Sequence, residues 1–152
     1  MPIKSFRGNI ADGSVDTISL HTNTGAIGYR IKKFQIITTN PSAGSDYASI
    51  VKIYKIPQTT VDGVVDFSDN TLMGVAWSSG DSATPNNFLE TVIFDNEVVN
   101  QDIYLTHKDT QTGRSVNYYI ELEQMKLDLN ENTVATLKDI RNIEAQWVNN
   151  II

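Results

Sequence analysis

Up to about residue 127 the chain consists of short runs in which apolar and polar residues alternate, each closed by turn-forming residues. A period of two marks a strand with one buried and one wet face. In the run from Val15 to Thr22, Ile18 and Leu20 share one face, with Thr17, Ser19 and His21 on the other. Ile27, Tyr29 and Ile31 share a face, and then Phe34 and Ile36 carry the apolar pattern on the opposite parity. That switch of phase predicts a bulge or bend near Lys32-Lys33. Ser49 to Ile56 is apolar on both faces, as a central strand would be. Leu72 to Trp77, Phe88 to Phe94 and Ile103 to His107 follow. Val116 to Leu127 closes the series, with Tyr118, Ile120 and Leu122 inward and Tyr119, Glu121 and Glu123 outward.

Between the runs stand Asp12-Gly13, Asn23-Thr24-Gly25, Asn40-Pro41-Ser42-Ala43-Gly44, Asp62-Gly63, Ser79-Gly80-Asp81 and Thr112-Gly113. These residues tolerate positive φ or preset a bend. Seven or eight strands at this spacing, with no helical pattern between them, predict an all-β antiparallel β-sandwich. The lengths of the Asp62–Asn70 and Gly80–Asn87 loops suit Greek-key or jelly-roll crossovers. Near Asn130 the period changes. Val134, Leu137, Ile140, Ile143 and Trp147 recur every three or four residues, on one side of an α-helix capped by Asp128 or Asn130. Such a helix needs a surface to dock on. The expected architecture is a single domain over 1–152: a jelly-roll sandwich with strands within 3–127 and one C-terminal α-helix over about 130–148.

A chain of 152 residues can bury about 70% of its unfolded surface, so a metal or disulfide staple is not required. The absence of cysteine excludes disulfide scaffolds, thiolate zinc sites and thiol nucleophiles. A net charge of −6, from 18 acidic and 12 basic residues, argues against nucleic-acid binding. The densest basic run, Arg30-Ile31-Lys32-Lys33, fits the solvated face of a strand. No stretch approaches the ~20 apolar residues of a membrane span, and the N-terminus turns polar too soon for a signal peptide.

Catalytic constellations are not evident. His21 and His107 lie in separate β-runs without metal-ligand spacing. Asp62, Asp66 and Asp69 fall in one polar stretch, but Val64, Val65 and Phe67 interrupt the register that a calcium loop needs. Glu121 and Glu123 share one strand face, as many exposed strands allow. There is no GxSxG elbow and no phosphate-cradling glycine loop. The expectation is a noncatalytic protein with no cofactor and no metal. Tyr118, Trp77 and Trp147 are expected in the core or under the helix, and Tyr119 outside.

Three stretches carry a likeness: Asn100-Gln101-Asp102-Ile103-Tyr104-Leu105-Thr106-His107, Asn117-Tyr118-Tyr119-Ile120-Glu121-Leu122-Glu123, and Ala135-Thr136-Leu137-Lys138-Asp139-Ile140-Arg141. With Phe34-Gln35-Ile36-Ile37 and Asp66-Phe67-Ser68-Asp69, they make the chain resemble small virion structural proteins of marine tailed bacteriophages. The resemblance spans about residues 30 to 145 and consists of core motifs, so it transfers no functional residues. It implies a capsid decoration, cement or minor structural subunit, in a virion assembled in the host cytoplasm. The implied partners are other virion proteins, either the major capsid protein or neighbouring subunits, including copies of the chain itself. The alternative is a carbohydrate- or receptor-binding β-sandwich of a tail or fibre. Tyr104, Tyr119, Trp147 and Val148 are the candidate interface residues.

Overall fold

The computed structural model describes residues 2–20, 26–41, 46–81, 87–94 and 97–127. Eight strands lie among them: β1 (Ile3–Ile10), β2 (Val15–Ile18), β3 (Ile27–Thr38), β4 (Tyr47–Tyr54), β5 (Leu72–Gly80), β6 (Asn87–Ile93), β7 (Ile103–Asp109) and β8 (Val116–Lys126). They form two antiparallel sheets, one ordered β1-β8-β3 and one ordered β2-β7-β4-β5-β6. No helix occurs among the described residues, and the helix expected over about 130–148 lies outside them, as do Trp147 and Val148.

One apolar cluster joins the sheets. Ile31, Phe34, Ile36, Val116, Ile120 and Leu122 enter it from the smaller sheet, and Val51, Ile53, Met73, Ala76, Ile103 and Leu105 from the larger. Alternation places them there. Along β8 the even positions Val116, Tyr118, Ile120 and Leu122 are buried, while Tyr119, Glu121 and Glu123 are half-buried on the outer face. Burying a side chain of this size stabilises by about 1.5–3 kcal/mol. A hydrogen bond also crosses the core, from the Tyr118 hydroxyl to Asp16 Oδ2 at 3.0 Å.

The phase switch in β3 is a register shift against β8 between Ile31 and Lys33. The extra residue lets Ile31 and Phe34 both face the core while Lys32 and Lys33 stay wet. Strand β4 is central, paired with β5 and β7, and both its faces are covered: Val51 and Ile53 enter the main core, while Ile50 and Tyr54 join a second apolar cluster with Leu72, Val75 and Phe94. Gly13 and Gly113 occupy left-handed turns at φ 78° and 73°, where a Cβ would be strained.

Three expectations need correction. The 62–70 and 80–87 segments are not crossovers: β4 and β5 are neighbours in one sheet, as are β5 and β6, so both segments close antiparallel pairs. Ser79-Gly80 is not a turn but the end of β5. Gly80 serves packing instead, since a Cβ there would come within 2.5 Å of the Tyr47 ring. Trp77 does not enter the core. It is half-buried on the outer face of the larger sheet, stacked on Phe88 at 6.2 Å between ring centroids.

Candidate functional site

Tyr119 stands at the centre of the outer face of the smaller sheet. Its register partners are Arg7 on β1 and Gln35 on β3. With Ile37 and Asn117 they line an open concavity of about 500 Å³. Ile37 is 61% exposed there.

Belts of satisfied polar groups bound this patch. On one side Asn9 donates to Thr39 Oγ1 at 2.9 Å and to Asn117 Oδ1 at 3.0 Å, and Thr39 meets Ser115 at 2.6 Å. On the other, Glu123 takes Arg30 at 3.2 Å and Lys32 at 3.4 Å. The hydrogen bond from Arg30, aided by Lys32, holds the Glu123 carboxyl below its ordinary value against the opposing pull of desolvation. Between the belts, Arg7, Gln35 and the Tyr119 hydroxyl have no side-chain partner among the described residues. Three hydrogen-bonding groups around an aromatic ring can hold a polar, planar or ring-shaped partner.

Tyr104 lies elsewhere. It sits on the outer face of the larger sheet, between Thr17 of β2 and Tyr54 of β4. The fold therefore does not bring Tyr104 and Tyr119 together: they belong to opposite outer faces. The segment between β4 and β5 folds over this second face through Lys52. That lysine is only 4% exposed in its side chain, and it donates to Asp62 Oδ1 at 3.0 Å and to the Val64 carbonyl at 2.7 Å. Hydrogen bonds from Lys52 and the Val64 amide keep the Asp62 carboxyl below its ordinary value. Phe67 packs edge-on against Phe94 at 5.3 Å. Asp66 and Asp69 are taken up locally, by Ser68 and Thr71. Sequence reasoning missed Lys52, although one cation inside an apolar strand is a signal for a buried partner.

Among the described residues no group of three or more His, Asp or Glu side chains is arranged to hold a metal. His107 faces the core, fully buried, with Nδ1 3.0 Å from the Ile10 carbonyl. Burial pushes its pKa down, despite the backbone carbonyls and carboxylates nearby, so the ring is neutral at pH 7. A solute in water cannot reach it. Asp109 is a loop anchor: burial alone would raise its pKa, but the amides of Gln111, Arg114, Ala48 and Thr112 outweigh that. His21 lies outside the described residues.

No family model, curated protein or solved structure matches this chain. Among the described residues no helix is long and apolar enough to cross a membrane. The functional reading therefore rests on the strand order, the two outer faces and the edges.

Proposed function

We propose that the chain is a noncatalytic structural subunit of a virus particle, a capsid decoration or cement protein acting through contacts with the major capsid protein or with its own copies. The observation that carries this reading is the order of the strands. A jelly roll is a folded antiparallel ribbon whose paired strands are first with eighth, second with seventh, third with sixth and fourth with fifth. Here β1-β8, β2-β7 and β4-β5 are ladders. The remaining pairing, third with sixth, survives only just past β6, where Tyr29 of β3 and Val99 exchange N–H···O bonds of 2.7 and 2.9 Å. β6 itself has moved to the free edge of β5. This supports an antiparallel sandwich of jelly-roll type, an architecture that viral capsid domains use repeatedly. Architecture alone does not assign function. The resemblance of the core motifs to marine phage virion proteins points in the same direction.

The test is reconstitution. Purified protein added to particles assembled without it should raise the temperature at which they release their genome. No binding and no shift would count against the proposal.

The Tyr119 concavity favours a second reading, a receptor- or carbohydrate-binding module of a tail or fibre. An aromatic ring flanked by an unpaired guanidinium and an amide suits a sugar. Tyr119→Ala should then abolish adsorption to cells while leaving particle stability unchanged.

A further inference from the structure

We propose that the free edge of β6 is a docking edge for a second copy of this chain, joined strand to strand about a twofold axis at Thr91. Exposed edges are normally protected by shortness, charge, bulges or cover. Among the described residues, three of the four sheet edges carry such protection. β2 has only four residues. β1 places Lys4 and Arg7 along its length. β3 is bulged at Lys32-Lys33 and covered at Tyr29 by Val99. β6 has none of these among the described residues. It is seven residues long, without Lys, Arg, Pro, Gly or a bulge, and Glu90 is its only charge. Most of its side chains are exposed, with Phe88 56%, Leu89 61% and Val92 37% accessible, while Ile93 packs against the core.

The backbone of β6 is set for one geometry. Phe94 donates its N–H to Met73 O at 3.0 Å on the β5 side. By the alternation of an antiparallel ladder, the N–H and C=O groups of Leu89, Thr91 and Ile93 then point away from β5. A second β6 run antiparallel about Thr91 sets Leu89 against Ile93, Phe88 against Phe94 and Glu90 against Val92. The outward groups of Leu89, Thr91 and Ile93 then all find partners, and no like charges meet between residues 88 and 94. Centring on Glu90 instead would oppose two carboxylates, which is unfavourable. A second copy is therefore a complementary occupant, although the chain carries a net charge of −6. As a contact between subunits, this edge presupposes the structural role proposed above, and it names the surface that role would use.

The chain has no cysteine, so single cysteines report directly. Opposed residues in a hydrogen-bonded pair have Cα atoms about 5.5 Å apart, within disulfide reach. Under mild oxidation Thr91→Cys should form a linked dimer, while Thr60→Cys, exposed in the long β4–β5 segment, should not. In sedimentation, mass should rise with concentration from one 16.9 kDa chain towards two. Leu89→Lys and Thr91→Pro should both remain monomeric with an unchanged circular dichroism spectrum, and the proline removes only an outward N–H. Thr60→Cys linking as readily as Thr91→Cys, a wild type that is monomeric throughout, or folded variants that still dimerise would each overturn the proposal. None of these results depends on whether the chain is found in particles, so loss of the edge contact and loss of the virion role are read separately.

Discussion

Replacing Tyr118 by Phe removes one oxygen from the seam between the sheets. The hydroxyl donates to Asp16 Oδ2 at 3.0 Å, from a side chain on the core face of β8. A hydrogen bond to a charged acceptor contributes about 1.5–3 kcal/mol, and Asp16 is half-exposed, so water recovers part of it. The expected loss near pH 8 is thus about 1–2 kcal/mol. The pH dependence is more diagnostic. Burial first, then the Asp16 charge, raises the Tyr118 pKa from 10.0 to about 12. The folded state favours the neutral phenol, so this stability is fully present below the unfolded value and is lost as pH rises through the window between 10.0 and about 12. Near pH 11 the wild type should have lost about 1.4 kcal/mol from this source, a loss the Phe variant cannot suffer. The gap in urea midpoint between the two proteins should therefore shrink or close from about pH 8 to about pH 11. A gap that stays constant would refute the placement of Tyr118 against Asp16.

Leu122→Ala should cost about 2–5 kcal/mol in urea unfolding, because Leu122 is fully buried between β1 and β3. Lys52→Met should be near-neutral in thermal melts, whereas Asp62→Ala should destabilise, since only the latter leaves a buried ammonium without its carboxylate. The reverse order would show that the pair acts as a surface ion pair. His107 has a folded pKa below its ordinary 6.5, so the stability tied to its neutral form is present above that value and lost as pH falls below it. Acid titration followed by tryptophan fluorescence should show a shallower decline for His107→Leu, and equal slopes would contradict the burial of this ring.

The strands were legible wherever one face was buried and the other wet. β8 and β3 show this, including the bulge that Phe34 announces by its change of parity. β1 was not, because its core-facing series runs Lys4, Phe6, Gly8, Ile10, and the apolar signal fails at two of four positions. Gly8 faces the core without a side chain because the Tyr118 hydroxyl already lies within 2.7 Å of where a Cβ would stand. Crossovers were misassigned because loop length does not encode sheet membership: the segment after Tyr54 is long yet returns to a neighbouring strand, its length used to cover Lys52. Tyr119 was correctly placed outside. Its partners Arg7 and Gln35 were invisible, being 112 and 84 residues away in sequence and joined only through the register of β8.

The role proposed for the chain is that of a structural subunit present in many copies on a virus shell. Quantitative mass spectrometry of purified particles, with this chain counted against the major capsid protein, tests it most directly. The structural role predicts many copies, in a fixed ratio to the shell protein. A handful of copies would place the chain on a tail or fibre, and its absence from intact particles would contradict the virion role altogether.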